Sequence, residues 1–177
     1  MAEAETAVVS NSSPLIYLAR IGRLGLVKAV YGKICVPEAV LNEAVTQGKA
    51  LRRVDASVIE EAVGRWIVKV SIKPEVNAEY RFLDADTRLG SGEKEALKLC
   101  KQLNADYFIV DDKEARRVSR ILKIRPIGTC GVLVQACRQG SIANGEAIKI
   151  LDELVRSGFR IEVSVYRRVL RELRLTS

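Results

Sequence analysis

Five side chains in this sequence could hold a hard cation or polarise a water: Asn11, Glu43, Glu93, Asp111 and Asp112. Carboxylate and amide oxygens suit Mg2+ or Mn2+, ions that take oxygen ligands and keep part of their water shell. The chain has no histidine. That excludes the Ser-His-Asp triad, Cys-His pairs and histidine-based acid–base chemistry, and it removes the commonest zinc ligand. Carboxylates, a hard metal, lysine and hydroxyls are the tools that remain. Each acid also has a plain structural reading. Aspartate after a strand caps the following helix, and glutamate in a first helical turn is favoured by the helix dipole.

The stretch 92–112, GEKEALKLCKQLNADYFIVDD, positions three of these groups. Gly92 and Glu93 open a helix whose Ala96, Leu97, Leu99, Cys100 and Leu103 fall at helical spacing. Residues 104–106 break the period. Tyr107-Phe108-Ile109-Val110 is an apolar run suited to a strand buried on both faces of a parallel sheet. Asp111 and Asp112 follow at its carboxyl end, where open α/β sheets place their ligand crevice.

The other elements are read in the same way. Residues 7–9 form a short strand, and Ser10-Asn11-Ser12-Ser13-Pro14 starts a helix whose buried face includes Leu15, Ile16, Leu18, Ala19 and Leu24. Residues 34–36 form a second strand. The helix begun by Pro37 carries Glu43 in its last turn. A helix over 52–64 buries Val54, Val58, Ile59 and Ala62, and 66–70 is a strand. Residues 71–89 lack a period and read as a long loop with at most one helical turn, a kind of segment that is often functional. On a helix over 113–122, Ala115, Val118 and Leu122 face inward. Lys113, Arg116, Arg117, Arg120 and Lys123 face outward. Residues 125–127 are a strand, 128–140 and 145–156 are helices, and 159–161 reads as a short edge strand. A basic helix over 165–175 sets Arg167, Arg171 and Arg174 on one face.

Short strands alternating with helices give a parallel sheet covered on both faces. Right-handed crossovers collect the strand carboxyl ends on one edge. The expected fold is therefore α/β, with about five short strands. Asn11, Glu43, Glu93 and the Asp111-Asp112 pair all fall on or near that edge, a convergence that capping alone explains poorly.

Composition sets the outer limits. The 177 residues read as one domain, 48% hydrophobic, with Lys+Arg 29 against Asp+Glu 22 and a net charge of +7. That excess suits a polyanion such as RNA or DNA, though a generally solvated surface gives the same balance. Cys35, Cys100, Cys130 and Cys137 form no C-x-x-C pair, and three lie in apolar segments, as in the core of a protein from a reducing cytoplasm. The start, MAEAETAVVS, lacks a signal-type apolar core, and no apolar run is long enough to span a membrane. A soluble cytoplasmic protein is expected.

Four ordered elements resemble the PIN domain (PilT N-terminus) family, and most closely its branch with D-T-S-P-L-I, L-x-x-G-E-x-E-A, D-D-x-x-A-R and G-T-x-G-x-L elements. Here they are Asn11-Ser12-Ser13-Pro14-Leu15-Ile16, Gly92-Glu93-Lys94-Glu95-Ala96, Asp111-Asp112-Lys113-Glu114-Ala115-Arg116 and Ile127-Gly128-Thr129-Cys130-Gly131-Val132-Leu133. The likeness runs from about residue 7 to about 159, ahead of the basic helix. It implies a three-layer α/β/α sandwich with a central parallel sheet. It further implies a Mg2+- or Mn2+-dependent ribonuclease, VapC-type toxin activity, a small antitoxin partner and a homodimer. The family's first acid falls on Asn11, the second on Glu43, the third on Glu93 and the fourth on Asp111 or Asp112. Ser12 matches the small hydroxyl beside the first acid.

One departure shapes the reading. Asn11 stands where the family carries aspartate, and its amide oxygen can ligate a cation but brings no charge. The chain then reads either as a ribonuclease or as an inactive RNA-binding or protein-interaction module. In the first reading Glu93, Asp111 and Asp112 hold the metal and Glu43 is a ligand or general base. Asn11 is then a neutral ligand or a water-positioning group, and Ser12, Arg116, Arg117 and Arg120 contact RNA. A third reading, phosphate binding at Gly90-Ser91-Gly92, lacks the spacing of a P-loop.

Overall fold

The central strands are short and apolar because helices bury them on both sides, whereas the edge strands are only partly buried. A computed structural model describes residues 6–175; the first five residues of the expected leaderless start lie outside them. The strands are β1 (Val8–Ser10), β2 (Ile34–Val36), β3 (Ile67–Lys69), β4 (Tyr107–Ile109) and β5 (Pro126–Ile127). They form one parallel sheet in the order β3-β2-β1-β4-β5. Val9 pairs with Cys35 on one side and with Phe108 on the other. The chain thus leaves central β1 toward β2 and later returns to its other flank at β4. That reversal of strand order opens a crevice between the carboxyl ends of β1 and β4.

Eleven helices cover the sheet among the described residues. The first half holds α1 (Ser12–Arg20), α2 (Gly25–Tyr31), α3 (Glu38–Leu41), α4 (Gln47–Ala50), α5 (Val54–Ala62) and α6 (Pro74–Glu79). The second half holds α7 (Ser91–Leu103), α8 (Lys113–Ile121), α9 (Thr129–Arg138), α10 (Asn144–Arg156) and α11 (Val163–Leu175). The α/β/α arrangement with about five parallel strands is the one expected. Phe108, Ile109, Leu97, Leu99, Leu15 and Leu133 are among the fully buried side chains that join β4 and β1 to the helices on either face. All four cysteines are free thiols, three of them buried. No helix among the described residues is long and apolar enough to cross a membrane.

Several expectations need correction. Gly22, at φ +69°, ends α1, so Leu24 is buried at the start of a separate helix, α2. On α5 the buried stripe is Asp55, Ala56, Ile59 and Ala62, while Val54 is 80% exposed and Val58 faces solvent beside it. Residues 71–89 are not one loop. Pro74 at the helix start fixes α6, and a 3-10 turn follows at Arg81–Ala85. Lys98 of α7 holds this segment. Its Nζ is buried and donates to Asp84 Oδ1 and Oδ2 at 2.8 and 2.9 Å and to Asn77 Oδ1 at 2.7 Å. Residues 159–161 pair with no strand; instead Phe159 packs edge-on against Tyr17.

Glu43 is also placed differently from the expectation. Its helix does not end there. A π-helical segment, Asn42–Thr46, joins α3 to α4, so Glu43 lies mid-helix at the start of a widened turn. A place in a last helical turn therefore does not describe Glu43. What replaces it is a register shift of the kind often found at functional positions.

Candidate active site

Four segments bring their polar groups to the β1/β4 crevice. Asn11 follows β1 directly, and its backbone N–H donates to the Ile109 carbonyl at 2.9 Å, which locks it beside the end of β4. Its side chain is 3% exposed. Nδ2 reaches Glu93 Oε1 at 3.4 Å, but Oδ1 is buried with no donor. An orphaned buried acceptor is uncommon and costly. It leaves a vacant acceptor on the side chain whose amide nitrogen meets Glu93.

Glu93 sits in the first turn of α7 and fills both roles read from the sequence. Oε2 accepts the Gly90 N–H at 2.8 Å, closing the helix start, while Oε1 faces Asn11. Burial raises its carboxyl above the ordinary value. The Gly90 bond opposes that rise, and the nearby charges of Asp112 and Glu43 add to it. Those electrostatic neighbours define the cluster as Glu43, Glu93 and Asp112.

Glu43 is held by three donors. Ser12 Oγ donates to Oε2 at 2.6 Å; Ser91 Oγ and the Gly92 N–H donate to Oε1 at 3.2 and 2.9 Å. The carboxylate lies so close to α7 that a Cβ on Gly92 would come within 2.6 Å of Oε2. Gly92 is therefore required at this position for proximity, not for its φ. Ser12, expected beside the first acid, in fact orients the second one. Glu95, two residues after Glu93, accepts the Ala39 N–H at 2.9 Å and so caps the helix that delivers Glu43. The sequence reading assigned Glu95 no role. Its signal was the second glutamate of the Gly-Glu-x-Glu string.

The structure separates the aspartate pair. Asp112 caps α8, with Oδ1 accepting from the Glu114 and Ala115 N–H groups at 2.8 and 2.9 Å, and it shares the cluster with Glu93. Asp111 turns to the other side of the strand end. Its Oδ1 accepts the Thr129 N–H at 2.8 Å and its Oδ2 the Thr129 hydroxyl at 2.6 Å. Burial raises its carboxyl; the Thr129 bonds and the Arg116 charge oppose that. Gly128 admits this contact, because a Cβ there would lie 3.0 Å from Asp111 Oδ1 and 3.1 Å from Arg116 Nη1.

The arginines of α8 do not act as one outward face. Arg116 is half-buried and donates through Nη1 to the Val110 carbonyl at 3.0 Å. Arg117 is paired with Glu114, which also binds Arg88. Arg120 is exposed and lines a cleft beside the site.

The donor set fits a hard divalent cation in its water-rich mode. Among the described residues no three His, Cys, Asp or Glu side chains form a ready-made ligand group, so an all-protein cage is not what the site offers. It offers a vacant amide oxygen and flanking carboxylates, with the remaining positions left to water, as Mg2+ commonly binds.

A parallel sheet in this order, with acids at the switch point between β1 and β4, defines an α/β protein with a candidate site built of carboxylates. The family described as DUF3368, a PIN domain, matches residues 7–174, and the chain belongs to the PIN domain family. The match extends past the expected limit at 159 and takes in most of α11. A search of curated proteins returned no match. Among solved structures, the chain is similar to the Mycobacterium tuberculosis toxin VapC20, which cleaves the sarcin-ricin loop. The two are 13% identical, with a TM-score of 0.48 over 63% of this chain and 95% of that one.

Proposed function

We propose that this protein is a metal-dependent ribonuclease that hydrolyses phosphodiester bonds at the β1/β4 crevice. The observation that carries the reading is the orphaned Oδ1 of Asn11 set among Glu43, Glu93 and Asp112. Asn11 Oδ1, Glu93 and Asp112 would hold Mg2+ or Mn2+, directly or through water. When bound, the ion would offset charge on the phosphate and favour ionisation of an attacking water. Glu43 is held rigidly by Ser12, Ser91 and Gly92, which suits it to orient a water or accept its proton. Asp111 acts as a positioning residue that fixes the end of β4 against α9. The whole chain, 1–177, functions as a single unit in the cytoplasm. As a toxin of the VapC type it would work as a homodimer restrained by a small antitoxin.

A second reading is favoured by one residue. Asn11 brings an oxygen without charge, and a PIN domain so altered would serve as an RNA-binding or protein-interaction module. One assay separates the two. Structured RNA is incubated with Mn2+, Mg2+ or EDTA and wild type, Glu93→Gln, Asp112→Asn or Asn11→Asp. Metal-dependent cleavage that is lost in Glu93→Gln and Asp112→Asn supports the ribonuclease. An inert wild type beside an active Asn11→Asp supports the binding module. Inactivity of all four sinks the catalytic assignment.

A further inference from the structure

On the far side of Asp111 from the acidic cluster lies a cleft of about 510 Å³ between α8, β5, the start of α9 and α11. Five cations line it: Lys113, Arg116 and Arg120 from α8, Arg160 from the 157–162 connection and Arg168 from α11. None of the five has a carboxylate within ion-pair distance among the described residues, although the other cations there form ten such pairs. Acids are present in the lining but are differently engaged. Asp111 is bonded to Thr129, Glu172 pairs with Arg138 at 3.7 Å, and Glu162 is exposed at the rim.

The guanidinium groups are close enough to disturb one another. Burial lowers the pKa of Arg116, and the charges of Arg120 and Arg168 lower it further against the pull of Asp111. Like charges gathered from two helices, outnumbering the one carboxylate, Asp111, that acts on Arg116, raise the energy of the empty cleft, and an anion would relieve that repulsion. The cleft is also continuous with the proposed catalytic edge. Asp111 forms its wall, and the next residue, Asp112, belongs to the acidic cluster.

We propose that this cleft is a phosphate subsite of the RNA-binding surface. Arg116, Arg120 and Arg168 grip a backbone phosphate next to the one positioned at the acids, and Lys113 and Arg160 extend the track. The proposal rests on the ribonuclease reading for the nature of the substrate. It assigns α11 a part in substrate binding and excludes Arg117, whose charge is already matched by Glu114. Planar guanidinium forks suit phosphate oxygens.

The test is binding of a fluorescein-labelled, mixed-sequence single-stranded RNA in EDTA, where no cleavage occurs, across a salt series. The Arg120→Glu/Arg168→Glu double variant is compared with Lys33→Glu/Arg65→Glu. The control pair makes the same change in net charge at the amino ends of β2 and β3, on the opposite edge of the sheet. The cleft variant is expected to bind at least about tenfold more weakly than the control, and its log–log salt slope to fall by about 2. Arg120→Gln/Arg168→Gln guards against a folding artefact: it should weaken binding in the same direction without a drop in melting temperature, since no ion pair is lost. If both cleft variants bind RNA as the control does, the proposal is overturned and the cations are free for an acidic protein segment instead. Wild-type cleavage with Mn2+ is scored separately. An inert wild type that loses RNA binding only in the cleft variants keeps the subsite and rejects the ribonuclease. Active cleft variants with full affinity do the reverse.

Discussion

Asp111 is bonded on both carboxylate oxygens, which supports the bracing role proposed for it. Both of its oxygens accept from Thr129, and burial raises its pKa above the ordinary 3.8. A carboxyl raised in the folded state binds its proton more tightly there than in the unfolded chain. Its stabilising contribution is therefore complete below the ordinary value and is lost as pH rises through the raised one. Asp111→Asn can keep both contacts, accepting from the Thr129 N–H and donating to the hydroxyl. It should stay within about 1 kcal/mol of wild type at pH 7 and steepen the acid limb of a melting-temperature profile, because the contribution that Asp111 makes at low pH is gone. Thr129→Val instead strands a buried carboxylate oxygen and should cost about 1–3 kcal/mol in urea unfolding. A steep loss in Asp111→Asn and none in Thr129→Val would refute the brace. Asn11 is the converse case, a neutral group where charge is expected. Asn11→Asp adds a fourth acid to the cluster of Glu43, Glu93 and Asp112 and should lower metal-free stability. It should also tighten Mn2+ binding in calorimetry.

At the scale of elements, α7 carries the site. Its first turn presents Glu93, receives Glu43 at Gly92 and caps α3 through Glu95. Gly92→Ala would drive a methyl into the Glu43 carboxylate, breaking the Gly92 N–H bond or shifting the π-helical turn. The expected result is a fold that survives with about 1–3 kcal/mol less stability and cleavage reduced at least tenfold. Unchanged cleavage would show that Glu43 need not sit where it does. Farther along α7, Lys98 ties down α6 and the following 3-10 turn through Asn77 and Asp84. Asp84 is more than half exposed, so water can take over its partner's role. Lys98→Ala should then cost only about 1–2 kcal/mol, below the cost of breaking a fully buried pair. Amide exchange should rise across 74–86 and leave β4 protected. Uniform exchange across both segments would mean that Lys98 supports the core itself.

For the molecule as a whole, a cation bound at the crevice as proposed would couple to folding. An ion that binds only the folded chain stabilises it by RT ln(1 + [L]/Kd), about 2.7 kcal/mol at one hundred times Kd. Millimolar Mn2+ should therefore raise the melting temperature of wild type, EDTA should reverse it, and Glu93→Gln should abolish the rise. Because protonated carboxylates bind cations poorly and Glu93 is raised, the Mn2+ shift should shrink as pH falls toward the carboxylate range. A shift equal in wild type and Glu93→Gln would place the ion elsewhere.

Local chemistry determined much of this in advance. Apolar runs ending in Asn11 and in Asp111-Asp112, with helices between them, were enough to predict a parallel sheet and the edge where its acids gather. Hydrophobic period and turn residues act over a few positions, so they are legible in one dimension. The side of a strand end on which each carboxylate falls is not. Asp111 and Asp112 are equivalent as letters, and the distant Thr129 and Gly128 decide which one turns away. Glu43 seemed to sit at a helix end until the packing of its helix against α7 set it mid-helix, on a π-helical turn. Val54 and Val58 fit a helical face, yet the stripe of Ala56 and Ile59 is the one that meets its neighbours. Lys98 reads as a surface lysine until the α6 segment closes over it. The cleft between α8 and α11 joins residues more than 40 positions apart, a proximity that only tertiary structure creates.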